Sequence, residues 1–178
     1  MPFSITLAEA RGWDTGETMP EIHRGGCLCG DIRYRTVGRP ERTTICHCRF
    51  CQRLTGSAFL IEPVFLRTNV EIERGTVSTF DHRPPSHGRL VQVQFCARCG
   101  THLSLLFERF PAVQGMCGGT FDAPNWFRPD RHIFTEKAVD WMVFPPDVAC
   151  FAQHAFSPDD TPATPWQTTA QREPVRSG

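Results

Sequence analysis

Nine cysteines punctuate a chain of 178 residues, and seven of them fall into three tight groups. The groups are Cys27-Leu28-Cys29, Cys46-His47-Cys48 with Cys51, and Cys96-Ala97-Arg98-Cys99. Thiolates so spaced are ligands for a borderline-soft metal, zinc above all. Two pairs supply four thiolates, a closed shell that holds a fold. A triplet leaves one position free, and a free position can bind or activate a ligand. The chain therefore reads as a zinc protein with two ions, one structural and one reactive.

The spacings support this locally. Residues i and i+2 of a strand share a face, so Cys27 and Cys29 can aim both sulfurs at one point. Cys96 and Cys99, followed by Gly100, have the form of a zinc knuckle, and glycine tolerates the positive φ such a turn needs. Four thiolates at about 2.3 Å would close that shell. Buried free thiols beside a chance CxxC, or a redox pair, are the competing readings. For Cys46, Cys48 and Cys51 the competing reading is a second structural site, its shell closed by Cys117, Cys150 or His47. A zinc on three thiolates alone carries a net negative charge. It is a weaker Lewis acid than a zinc on three histidines, and water on it is less acidic than the ~7 of carbonic anhydrase. Such a centre suits a thiol or a carbonyl substrate better than unaided water activation.

Other zinc chemistries lack their residues. No histidine is followed two places later by glutamate, as the nucleobase deaminases require. A His-Glu-x-x-His protease motif is also missing. Cys96 falls in an expected hairpin, whereas a thioredoxin-type pair needs a strand-to-helix setting.

A thiol–carbonyl addition, or its reverse, also needs a group to move one proton. His47 lies between two candidate ligands and titrates near neutrality; its plainer role is a solvent-facing loop histidine. Asp122 and His132 are further candidates, against plainer roles in a turn and a strand. Arg49, Arg53 and Arg98 flank the cysteine groups and could hold substrate carboxylates, or simply carry surface charge. Lys137 is the single lysine, so arginine supplies nearly all the basic charge. Guanidinium recognises carboxylates bidentately, although genome composition would give the same bias. Thr55, Gly56 and Ser57 either floor a pocket or turn the chain.

Bulk properties narrow the class. The length suits one sizeable core. Nineteen basic and nineteen acidic side chains give zero formal charge, which argues against nucleic-acid binding. No apolar run approaches the ~18 residues of a membrane span, and no signal pattern opens the chain. A cytoplasmic location is the expectation. In a reducing compartment, clustered thiols are metal ligands or redox centres more often than disulfides.

Elements follow from the pattern. Residues 1–22 read as an irregular arm, 23–156 as one zinc-binding domain, and 157–178 as a loose tail rich in proline, threonine and charge. Gly25 and Gly26 open a turn into the first cysteines. Ile32 and Tyr34 alternate with arginines as a half-buried strand, ended by Gly38 and Pro40. Ala58 to Leu66, interrupted by Pro63, is two short strands or a bent edge strand. Val70 to Phe80 around Gly75 reads as a hairpin. Val91 to Phe95 is the clearest strand; it delivers Cys96, and His102 to Phe107 returns. Val113 to Phe121 and His132 to Phe134 complete the strands. Asp147 to Phe156 is the best helix candidate.

Taken in order, Gly26-Cys27-Leu28-Cys29-Gly30, Cys46-His47-Cys48-Arg49-Phe50-Cys51-Gln52 and Phe95-Cys96-Ala97-Arg98-Cys99-Gly100 resemble the family of glutathione-dependent formaldehyde-activating enzymes. Gly119-Thr120-Phe121-Asp122, His132-Ile133-Phe134 and Trp141 are similar as well, so the resemblance spans roughly residues 21–145. It implies a mainly β, Mss4-like fold: several small coiled antiparallel sheets around zinc, with few short helices. It implies that Cys27, Cys29, Cys96 and Cys99 hold the structural zinc, and that Cys46, Cys48 and Cys51 hold the zinc where chemistry occurs. The reaction implied is carbon–sulfur bond formation. Glutathione, as co-substrate, adds to formaldehyde to give S-(hydroxymethyl)glutathione, formally a reversible lyase reaction. The named member resembles Cys-Gly-Cys-Thr-Lys-Cys-Trp at the second site. Here His47, Arg49, Phe50 and Gln52 fill the intervening places, so the ligands carry over and the substrate does not.

Two further classes stand beside the lyase or hydrolase of a thiol adduct, aldehyde or imine. One is a non-catalytic zinc module that binds a protein partner. The other is a redox sensor built on the thiol-rich loop. The sequence sets no oligomeric state.

Overall fold

A computed structural model describes residues 21–85 and 88–167. The expected arm over residues 1–22 lies almost wholly outside those limits, as does the end of the expected tail. Among the described residues the chain is mainly β, with one short α-helix and a few single 3₁₀ turns, as expected.

The first three-stranded sheet joins β1 (Ile22–Gly26), β2 (Arg33–Val37) and β5 (Val70–Arg74) in the order β1-β2-β5. The second has eight strands. They are β3 (Arg42–Cys46), β4 (Leu60–Leu66), β6 (Ser78–His82), β7 (Val91–Phe95), β8 (His102–Phe107), β9 (Val113–Met116), β10 (Arg131–Ile133) and β11 (Ala149–Cys150). Their order is β11-β10-β3-β4-β9-β8-β7-β6, antiparallel except where β10 runs parallel to β3 and β11. The helix α1 (Arg49–Thr55) follows β3 directly.

Alternation works as expected in β2, where Tyr34 and Thr36 are fully buried. Tyr34 and Ile32 join Phe65, Leu103, Met116 and Phe121 in a core shared between the two sheets. Burying an apolar side chain as large as Phe65 contributes about 1.5–3 kcal/mol. The Tyr34 hydroxyl is paired with the Thr120 hydroxyl at 2.8 Å, so the ring is buried without leaving its polar end unmet.

Several elements differ from their sequence signal. Val70–Phe80 is not a hairpin: β5 pairs with β2 in one sheet and β6 with β7 in the other. Gly75, at φ +81°, turns between them under the Asp31 carbonyl. Alternation reports which face of a strand is buried, and partner choice is a long-range property it does not carry. Pro63 neither splits β4 nor puts it at an edge. Its partner Thr43 directs its own backbone N–H and C=O to Asp130, so the Pro63 nitrogen faces β9, whose ladder with β4 begins only at Val64. The missing N–H therefore breaks no ladder bond.

Asp147–Phe156 is not a helix. Its backbone bonds go to neighbours distant in sequence: the Cys150 N–H to the Gln167 carbonyl, the Phe151 N–H to the His132 carbonyl. The true helix, seven residues long, was too short to show a stripe. Cys48 caps its start by accepting from the Cys51 N–H at 3.4 Å, and Gly56 ends it at φ 64°. The segment 157–167 hydrogen-bonds back to the body through Ala163 to Ala155 and Trp166 to Cys150, and Arg109 pairs with Asp160.

Gly25 and Gly26 lie within β1 instead of opening a turn. A Cβ on Gly25 would sit 2.4 Å from both the Thr120 carbonyl and the Tyr34 hydroxyl. The glycine thus allows β1 to close over the core. Gly25→Ala is expected to lose about 1–3 kcal/mol of stability through overpacking. The measurement is the urea midpoint at constant m-value; an unchanged midpoint would show that this approach is not tight.

Candidate metal centres

Turns from both sheets build the four-cysteine cluster. Cys27 directly follows β1, and Gly30 at φ +77° folds the chain so that its N–H meets the Cys27 carbonyl. Cys96 directly follows β7, and Gly100 at φ +73° does the same for the Cys96 carbonyl. The two turns face each other, with the Leu28 N–H donating to the Thr101 hydroxyl at 3.1 Å. All four sulfurs lie within 4.8 Å of one another. Cys27 and Cys29 are 3.4 Å apart, Cys29 and Cys96 3.7 Å. A tetrahedral zinc with 2.3 Å bonds separates its sulfurs by roughly 3.8 Å, so these spacings fit the ion. The Thr101 hydroxyl and backbone help hold the Cys99 thiol down at about 5. Every cysteine is free of disulfide bonding.

The second cluster is built within a single stretch of chain. Cys46 ends β3, Cys48 caps α1 and Cys51 lies in its first turn. These three sulfurs also lie within 4.8 Å of one another. No fourth His, Cys, Asp or Glu ligand atom among the described residues joins them. Cys117, Cys150 and His47 are thus left out of the group. Hydrogen bonds from Cys46 and Cys51 push the Cys48 thiol down to about 3, while the same contacts push Cys46 and Cys51 up. A metal bound here would take three thiolates and keep one position for another ligand. Both donor sets are consistent with zinc.

The Gln52 amide holds the loop from below, donating to the carbonyls of His47 at 2.7 Å and Lys137 at 2.8 Å. Arg49 donates to the Gln52 side-chain oxygen. On the outer side of α1, Arg49, Phe50, Arg53, Leu54, Phe80 and His82 surround a depression of about 390 Å³. Phe50 stacks on His82 at 4.5 Å. Val93, on the wall of the depression, belongs to the same apolar cluster as Cys46 and Cys51. Neither Arg49 nor Arg53 forms a salt bridge among the described residues.

The remaining candidates are scattered. Arg98 stands at the four-cysteine turn, 2.8 Å from Asp31. Asp122 is held by both guanidinium nitrogens of Arg33, which keeps its carboxyl below the usual range. His47 and His132 do meet, Nε2 to Nδ1 at 2.9 Å, with Phe59 and Phe144 around the His47 ring. Both are buried, and burial lowers both, His132 to about 4. By register and alternation the rings lie on the face opposite the Cys46 side chain, while the Cys48 charge still reaches His47. Cys46 pairs with Leu60, whereas the next residue, His47, turns to Phe59 and His132.

One residue escaped the sequence reading. Glu62 shares the Cys46 face: it pairs with Thr44, two places from the Leu60–Cys46 pair. It is buried, and its Oε1 has no hydrogen-bond partner among the described residues. Burial raises its carboxyl to about 7, against the pull of Arg42, and the Cys48 charge raises it further. An acid inside Leu60-Ile61-Glu62-Pro63-Val64-Phe65 was a visible signal, since ionisable residues are seldom placed in an apolar strand without a role.

Metal analysis of the purified chain is expected to give about two zincs. Cys48→Ser should lower this to about one with the fold kept, and Cys96→Ser should abolish folding, since a structural zinc contributes on the order of 10 kcal/mol. A Cys48→Ser protein without any zinc would show that the two clusters are not independent.

Comparison with known proteins places the chain in a family. The family model for the glutathione-dependent formaldehyde-activating enzyme matches residues 22–137. A Halomonas elongata protein, provisionally named a glutathione-dependent formaldehyde-activating enzyme, is 24% identical over 122 residues, covering 66% of this chain and 78% of its own. A crystal structure of a Rhodobacter sphaeroides protein aligns over 56% of this chain and 88% of its own, at 18% identity and a TM-score of 0.46. With the family match running through both cysteine clusters, the chain belongs to the glutathione-dependent formaldehyde-activating enzyme family.

Proposed function

We propose that this protein is a zinc-dependent enzyme of the carbon–sulfur lyase type, joining a small thiol to an aldehyde and reversing the reaction. The observation that carries this is the three-cysteine cluster with no fourth ligand atom among the described residues. Glutathione and formaldehyde, the pair in the family's name, are the first substrates to test. A zinc held by Cys46, Cys48 and Cys51 would supply a Lewis-acid position at which a thiol loses its proton readily or a carbonyl is polarised. The zinc held by Cys27, Cys29, Cys96 and Cys99 is structural in this reading.

The rest of the work falls to the chain. Arg49 and Arg53 carry positive charge beside the cluster without a competing carboxylate salt bridge, which suits a thiol bearing carboxylates. Phe50, Leu54 and Phe80 give the depression an apolar wall against the thiol's methylenes. His47 and His132 fix the loop between the ligands by their mutual bond, a positioning role. Asp122 and Arg98, each held in an ion pair, keep structural parts. Among the described residues no helix is long and apolar enough to cross a membrane; the cytoplasm is the compartment proposed.

Incubation of the two-zinc protein with glutathione and formaldehyde, followed by NMR of the hydroxymethyl product, is expected to show acceleration over buffer. No acceleration with any thiol–aldehyde pair would overturn the reaction class. Arg53→Met should raise KM for glutathione about 10- to 100-fold at nearly constant kcat, the loss of one charge-assisted hydrogen bond of about 1.5–3 kcal/mol. With a thiol that lacks carboxylates, the variant and the wild type should behave alike.

A further inference from the structure

Phe80 stands on β6, the edge strand of the eight-stranded sheet, and is 58% exposed. It borders the depression beside α1, whose volume of about 390 Å³ is that of a small-molecule site. Its partner in the β6–β7 pair is Val93, so both side chains lie on one face of the sheet, with Val93 buried. Phe50 and Leu54 of α1 pack on the apolar cluster to which Val93 belongs. His82, two places beyond Phe80 and on the same face, stacks its ring on Phe50 and so joins β6 to the helix. The depression thus has an apolar floor and aromatic groups on both sides.

Its charge is of one sign. Arg49 and Arg53 are four residues apart on α1, which makes their side chains neighbours. Both are exposed, and neither has a salt bridge among the described residues. Arg49 gives one N–H to the Gln52 side-chain oxygen and keeps its other donors. No carboxylate lines the depression. Asp81, between Phe80 and His82, alternates to the other face of β6, where it accepts from Gln92 at 2.9 Å. The remaining polar groups are the imidazoles of His82 and His102.

Two guanidiniums beside an apolar, aromatic-walled space complement a carboxylate carried on a flat apolar body. Glutathione answers only half of that description. It brings carboxylates for the arginines, but also an ammonium group, for which this lining holds repulsion and no anionic partner. Its peptide groups would meet rings where they need hydrogen bonds.

We propose that the depression takes a small aromatic carboxylate without an ammonium group. The ligand class stands on the lining; its place as a substrate rests on the thiol–aldehyde reading above. The carboxylate pairs with Arg53 and the free donors of Arg49, and the ring lies between Phe80 and the Phe50–Leu54 side of α1. The acid belongs either to the thiol or to the aldehyde, and the addition is the same. The thiol gives up its proton, sulfur bonds to the carbonyl carbon, the π pair moves to oxygen, and oxygen takes a proton. No oxidant or reductant is consumed.

The test begins with calorimetry on the full, zinc-loaded chain. The benzoate thiol para-(mercaptomethyl)benzoate should bind about 10- to 100-fold tighter than phenylmethanethiol, which has the ring without the carboxylate. It should also bind tighter than glutathione. N-acetylglutathione, whose ammonium is masked, should bind tighter than glutathione itself. Arg53→Met should remove the advantage of the benzoate thiol and leave phenylmethanethiol unchanged. Phe80→Ala should weaken both ring-bearing thiols about 3- to 10-fold. Both side chains are exposed, so zinc content and melting temperature should stay as in the wild type.

Two rate series then assign the acid. With formaldehyde, a higher kcat/KM for the benzoate thiol than for phenylmethanethiol puts it on the thiol. With mercaptoethanol, a higher kcat/KM for para-formylbenzoate than for benzaldehyde puts it on the aldehyde. Equal affinity of the benzoate thiol and phenylmethanethiol overturns the inference, as does an advantage that survives Arg53→Met. Tighter binding of glutathione than of its acetyl derivative and the benzoate thiol overturns it as well. Carboxylate-dependent binding that Arg53→Met abolishes, with no addition in either series, discards the reaction and keeps the ligand class.

Discussion

Seven sulfurs gathered into two groups less than 4.8 Å across are a problem in electrostatics before they are a site. Several thiolates so close repel one another, and a buried thiolate is further disfavoured by desolvation. Mutual hydrogen bonds hold the Cys48 thiol down and push those of Cys46 and Cys51 up. A bound cation would let all three ionise. The fold follows from that requirement at the first cluster, where one pair of sulfurs comes from each sheet. A metal there would staple the three-stranded sheet to the eight-stranded one, beside the core that Tyr34 and Phe65 fill.

The second cluster meets the same requirement without holding sheets together. Its three ligands come from six consecutive residues, so tertiary structure is not needed to bring them near. What the fold supplies is what surrounds them: Gln52 clamping the loop carbonyls, a helix that turns Arg49 and Arg53 outward, and a strand whose opposite sides carry different chemistry. One side holds two neutral histidines among aromatic rings, and the other holds thiols and a lone carboxyl. A single residue's step along β3 separates these environments, because successive side chains of a strand face opposite ways.

That alternation explains which site residues were legible. The metal ligands were, since Cys-X-Cys and Cys-X-X-Cys spacings are local and specific. His47 looked close to the chemistry because it is adjacent in sequence, but its ring turns to Phe59 and His132, on the face opposite Cys46. Glu62 is sixteen positions from Cys46 and was not singled out, yet the β3–β4 register puts it on the Cys46 face, with its carboxyl over Gly115 of β9. The fold divided in the same way. Strands with clean alternation, such as Val91–Phe95, were readable. The pairing of β5 and β6 was not, and neither was a helix of seven residues set by its caps.

By itself the chain determined its donor set and its secondary structure class, both of which come from residue type and spacing over a few positions. The tertiary structure decided which turns meet at the four-cysteine cluster, which side chains lie on each face of β3 beside the open one, and that β4 tolerates a proline in its interior. Those outcomes depend on register between strands far apart in sequence. Register is fixed by packing of the whole core, and no short window of residues contains that information.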